Sequence, residues 1–227
     1  MALCQRYLLA AAGDNPIVSV SQRPVDLGRN VCVGEIGSSW LSIYRQQLAG
    51  LEVAQTEMVA IAEHDVCYVP SHFAHEPADP QAFTYNTNCW LVQYKGTHPE
   101  YDGMYSYWPR RLALSQLICR RDLLAQSIEE RLHLIESGVR VMRRLGEPGA
   151  FPPGVLDLAR KATDGKAAYL SKYFEDHVTK FRSRTFASPE PTLDVRHKDN
   201  FTGARRGKKR CYELPPWGNF AALIGGE

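Results

Sequence analysis

The chain has 227 residues, 44% hydrophobic and 23% charged, with 27 basic against 25 acidic side chains and a formal charge of +2. That length and composition can bury one sizeable core, and they exclude a low-complexity or globally disordered chain. No run approaches the roughly 20 apolar residues needed to span a bilayer, and Met1-Ala2-Leu3-Cys4-Gln5-Arg6 lacks the basic start and apolar core of a signal peptide.

Leu3 to Ala12 is apolar and alanine-rich, and it predicts a helix that stops at Gly13. Pro16 to Val20 reads as a short strand that runs into the polar loop SQRPVDLGRN, and Val31 to Gly34 as a second β-like patch. Ser38 or Ser39 is a good N-cap for an amphipathic helix carrying Leu41, Tyr44, Leu48 and Leu51 and ending near Gln55. Met58 to Ala62 is apolar on both faces, as a central strand of a parallel sheet would be. It is followed at once by Glu63-His64-Asp65. Strands are predicted over Ala82 to Asn86, Cys89 to Gln93 and Leu112 to Cys119. A long helix follows from about Asp122, with Leu124, Ile128, Leu132, Ile135, Val139 and Met142 spaced by three and four. Residues 146–154, rich in proline and glycine, read as a linker, and 167–181 as one more helix. The six cysteines (Cys4, Cys32, Cys67, Cys89, Cys119, Cys211) show no CxxC spacing, and several sit in apolar runs, which predicts reduced core thiols in a cytoplasmic protein.

The charge is uneven. Residues 194–210, DVRHKDNFTGARRGKKR, hold seven Lys or Arg against two Asp, about +5, which leaves −3 for the rest of the +2 total. Such a segment is either a solvated loop or a surface that meets phosphate, in a nucleotide or in a nucleic-acid backbone. The loop at 95–111, KGTHPEYDGMYSYWPRR, interleaves aromatic and basic side chains. Together with Trp90, its Tyr101, Tyr105, Tyr107 and Trp108 could stack on a flipped base or a sugar, or could form a small core at a sheet edge.

Glu63 and Asp65 stand two apart immediately past a buried strand, where open α/β sheets place ligands. A carboxylate pair cannot approach a diphosphate unless a divalent cation lies between them. Such a cation also neutralises charge on a departing nucleoside diphosphate, although an acid-x-acid triplet equally fits phosphodiester chemistry or a surface turn.

VAIAEHDVCY with PSHF, then FTYNTNCW, resembles the core of phage and metagenomic glycosyltransferases with a GT-A-like fold. The flanks SVSQRPVDLGRNVCVGEIGSS, LDVRHKDNFTGARR and LPPWG agree, so the resemblance runs from about Pro16 to Gly218. Within that family the chain is most similar to a viral branch found beside TET-type dioxygenases, which adds sugars to 5-hydroxymethylcytosine in DNA. The resemblance implies a single α/β domain over 1–227, with a mostly parallel sheet and helices on both faces. It implies a nucleotide-sugar and metal half over about 1–93, and an acceptor half over about 94–227 that carries the basic segment. It further implies Mn²⁺ or Mg²⁺ held by Glu63, Asp65 and His197, and a UDP-sugar donor contacted by Gln22, Arg23, Asp26, Arg29, His64 and Arg205. The proton acceptor is left among Asp194, Asp199 and Glu175, with Asp102 as a further possibility. A strand usually precedes the first helix in that fold and is expected here to be missing or replaced. The family's Gly-Lys after the histidine is Lys198-Asp199 in this chain. A glycan or protein acceptor, or a DNA-binding module without catalysis, are the alternative functions.

Overall fold

The computed structural model describes residues 2–95, 99–108, 111–136, 182–197 and 209–225. Helix α1 (Ala2–Ala12) ends where the sequence predicts, because Gly13 turns the chain out of the helix at φ +55°. Strands β1 (Val18–Ser21) and β2 (Arg29–Cys32) pair in parallel, Val18 opposite Arg29. Helix α2 (Trp40–Val53) is capped by Ser39, whose Oγ accepts from the Ser42 N–H while the Ser42 Oγ accepts from the Ser39 N–H. Strands β3 (Met58–Ala60) and β4 (Val66–Cys67), the short helix α3 (Pro70–Phe73), and strands β5 (Ala82–Asn86) and β6 (Cys89–Gln93) follow. After β7 (Tyr105–Tyr107) the predicted strand at 112–119 divides into a 3₁₀ turn (Leu114–Gln116) and β8 (Leu117–Arg120), which runs directly into α4 (Arg121–Glu136). The remaining described elements are β9 (Arg182–Phe186), β10 (Thr192–Arg196), β11 (Lys209–Cys211), β12 (Glu213–Leu214), β13 (Gly218–Asn219) and α5 (Phe220–Gly225). The predicted linker at 146–154 and helix at 167–181 lie outside the described residues.

The architecture is mixed α/β, built on a five-stranded sheet in the order β11-β7-β6-β10-β4 and a four-stranded sheet in the order β3-β8-β5-β9. The expected mostly parallel sheet is corrected: of nine strand pairings among the described residues, three are parallel and six antiparallel. A parallel return needs a crossover of a dozen or more residues, usually helical. The connection from β6 to β7 spans eleven residues and carries, among its described residues, a 3₁₀ turn and no longer helix, so the chain folds back antiparallel. Strand β3 is likewise not central: it is a half-buried edge strand, antiparallel to β8. Two parallel seams tie the sheets together. β5 pairs with β9 in one sheet, β6 pairs with β10 in the other, and each chain segment passes from the first sheet to the second.

Each sheet has its own core. Tyr44, Leu51, Phe83, Tyr85, Leu117, Leu124 and Ile128 join α2 and α4 to the four-stranded sheet. Leu3, Cys4, Cys67, Val92, Tyr105, Leu193, Trp217 and Phe220 join α1 and α5 to the five-stranded one. Both larger sheets draw strands from either side of residue 93. No helix among the described residues is long and apolar enough to cross a membrane.

Candidate functional site

The site begins where β3 ends. The Ile61 N–H donates to the Leu117 carbonyl at 2.9 Å, after which the chain leaves the sheet. A buried tyrosine fixes the turn that follows: the Tyr68 hydroxyl accepts from the Glu63 N–H and donates to the Ser115 carbonyl, each at 2.9 Å. Val66 N–H reaches back to the Glu63 carbonyl at 3.3 Å, and Val195 N–H donates to the Asp65 carbonyl at 2.8 Å. Asp65 is thereby clamped to β10, the strand that delivers His197 one residue past its end. One ligand atom from each of His64, Asp65 and His197 then lies within 4.8 Å of the others.

The three atoms could be drawn onto one divalent ion by side-chain rotation: three ligands about 2.1 Å from a metal lie about 3.0–3.6 Å from one another, so closure takes a contraction of up to about 1–2 Å. Two imidazoles and one carboxylate favour Mn²⁺ or Fe²⁺ over Mg²⁺, which prefers oxygen donors. Three protein ligands also leave positions open for water or substrate.

Behind the trio lies a buried charge network. Asp194 Oδ2 accepts from Arg111 Nη2 at 2.5 Å and from Arg196 Nη2, with the carboxylate 1% exposed. Arg196 shares a face with Asp194 because the two are separated by one residue on β10. Glu63 is pushed up to about 7, first by burial and then by the charges of Asp65 and Asp194, with Arg196 and Arg111 pulling the other way. A cation beside these acids would offset the repulsion between them.

The structure therefore brings Asp65 and His197 together, and the third atom in their reach belongs to His64, not Glu63. Asp194 stands in the same neighbourhood, but two guanidiniums hold its Oδ2. Gln22 is committed to the loop after β2: its Nε2 donates to the Gly37 carbonyl, and its Oε1 accepts from the Ile36 and Gly37 N–H groups. Arg23 pairs with Glu35 on the surface, and Asp26 and Arg29 are exposed. Asp102 is exposed in the turn after Pro99–Tyr101. Asp199, Glu175 and Arg205 lie outside the described residues. Of the aromatic group, Tyr105 is core, edge-on to Phe220, while Trp90 and Tyr107 form a tilted pair at 5.3 Å and Trp108 is exposed.

Sequence reasoning missed Arg111, Arg196, Tyr68 and Ser115 as parts of the site. Arg196 had a signal, since Asp-Val-Arg in a strand puts acid and base on one face. Arg111 and Ser115 had none, because the hydrogen bonds joining them to Asp194 and Tyr68 cross 83 and 47 residues. Compared with protein-family models, with curated proteins and with solved structures, the chain matches none.

Proposed function

We propose that the protein is a metal-dependent glycosyltransferase that moves a sugar from a nucleoside diphosphate onto 5-hydroxymethylcytosine in DNA. The observation that carries this reading is the meeting of Asp65 with His64 and His197, which joins the two motif segments, VAIAEHDVCY and LDVRHKDNF, whose sequences resemble those enzymes. His64, Asp65 and His197 would hold the ion, whose chemistry is neutralisation of the leaving diphosphate. Arg111 and Arg196, oriented by Asp194, present buried positive charge beside the trio, and Asp194 serves to hold them rather than to take a proton. The basic run at 205–210 meets the acceptor backbone. The two-histidine, one-carboxylate set is also the donor set of non-haem iron enzymes, so iron belongs in the test.

The protein is incubated with Mn²⁺, Mg²⁺ or Fe²⁺, a panel of sugar nucleotides and hydroxymethylcytosine-containing DNA, and the digested nucleosides are weighed. A hexose added to the modified cytidine, strongest with Mn²⁺, is the expected product. Donor consumed without a DNA product shifts the acceptor to a glycan or protein. No donor consumed with any ion overturns the reading.

A further inference from the structure

Cys4, in the first turn of α1, and Cys67, the second residue of β4, approach each other with Sγ atoms 3.6 Å apart. Both are buried, at 5% and 0% exposure, in the core that joins α1 and α5 to the five-stranded sheet. Neither is bonded to another cysteine. We propose that these two thiols form a reversible disulfide under peroxide, stapling α1 to the strand that starts immediately after Asp65. The inference stands on the sulfur geometry and is independent of the glycosyltransferase reading.

A disulfide needs the sulfurs at about 2.05 Å, so they must close by about 1.5 Å, within reach of side-chain rotation and a small shift of the helix. Strand β4 is the fixed partner, paired to β10 through Cys67 opposite Leu193 and Val66 opposite Asp194. Helix α1 is the side that can adjust, since it is held by side-chain packing and not by a ladder. Cys4 is the more exposed of the two. Its sulfur takes an oxygen atom from hydrogen peroxide, giving a sulfenic acid and one water. Cys67 Sγ then attacks that sulfur; the S–O bond breaks, the S–S bond forms, and the hydroxyl leaves with the second thiol proton as another water. Two thiols are oxidised by two electrons, and one peroxide is reduced to two waters. An added dithiol reverses the bond by exchange.

The test uses the full chain carrying Cys32→Ser and Cys211→Ser, which removes the two thiols that are not buried. Folded protein is treated with hydrogen peroxide, denatured, alkylated and weighed, then digested to map linked peptides. The expected result is the loss of two alkylatable thiols, one linked peptide joining Cys4 to Cys67, and a melting temperature raised by about 9–17 °C, as expected for a cross-link closing a loop of this length. Dithiothreitol restores both thiols and the original melting temperature, and adding Cys4→Ser removes both effects. Should that variant fail to fold, the linked peptide in the parent protein still decides the matter. Full alkylation after peroxide, linkage to Cys89 or Cys119, or an equal thermal shift in the Cys4→Ser protein overturns the proposal.

Discussion

Asp194 receives two guanidiniums on one carboxylate oxygen at a place water scarcely reaches. Removing one member of such a group leaves buried charge without its counter-charge and costs about 3–5 kcal/mol. Asp194→Ala is therefore expected to lower the urea midpoint sharply; a loss below about 1 kcal/mol would mean that Arg111 and Arg196 find other partners easily. Asp65 differs, because its backbone carbonyl holds β10 while its side chain belongs to the proposed metal site. Asp65→Ala and His197→Ala are expected to weaken Mn²⁺ binding by more than about 100-fold, since the partners behind metal ligands alone account for 10- to 100-fold. Calorimetric titration with Mn²⁺ reads this directly, with the unfolding midpoint as the control for fold. His72 gives a pH-dependent counterpart. It is fully buried in α3, its Nδ1 is 3.2 Å from Asn86 Nδ2, and the rings of Tyr68, Phe73 and Phe186 surround it. Burial, with a smaller contribution from His75, holds its pKa near 4 instead of 6.5. Between those values the unfolded chain binds a proton that the native chain refuses, so stability falls as the pH drops from about 6.5 towards 4, by up to about 3 kcal/mol. Above about pH 7 this group contributes no slope. His72→Phe should flatten that part of the profile, and an unchanged slope would rule His72 out as its source.

Among the elements, two glycines with the same backbone sign separate two physical effects. Gly13 and Gly28 both have positive φ, +55° and +56°. A Cβ on Gly13 would meet open space, whereas one on Gly28 would fall 2.3 Å from the Ile17 carbonyl oxygen, which already accepts from the Arg29 N–H at 2.8 Å. Gly13→Ala should cost about 1 kcal/mol, the left-handed penalty alone, and Gly28→Ala clearly more, because the β1–β2 pairing must open to admit the methyl group. Equal melting temperatures for the two variants would show that the β1–β2 turn yields without resistance. The boundary at Gly13, the cap at Ser39, and strands β5 and β6 were all legible in the sequence, because each is set by local chemistry: a left-handed residue, a side-chain acceptor, an apolar run between turns. Pairing was not legible. The apolar run that forms β3 says nothing of whether its neighbour runs parallel, and of the two strands that pair with β6, the parallel one, β10, lies about a hundred residues downstream. Of the candidate site, the juxtaposition of Asp65 and His197 was legible in the sequence, and that of Arg111 with Asp194, which only the fold delivers, was not.

Across the whole molecule, two residues of the basic run, Lys209 and Arg210, are exposed on β11 at the edge of the five-stranded sheet. If this edge meets the DNA backbone, replacing Lys208, Lys209 and Arg210 with alanine should make log affinity less steep against log salt. The slope falls by about 0.9 for each duplex phosphate left unneutralised, or about 0.7 on a single strand. Sugar-nucleotide affinity should hold. Identical salt slopes before and after would take this edge out of DNA binding. The two parallel seams also impose an order of events. Strands β5 and β6 wait for β9 and β10, which are synthesised about a hundred residues later. At about 5–20 residues per second, a ribosome exposes the first half of the chain for many seconds before these two parallel partners exist. Asp65 cannot meet His197 until nearly the whole chain has left the exit tunnel. A nascent chain arrested before residue 182 therefore carries two unfinished sheet edges, which makes it a natural client for a chaperone that covers exposed strands.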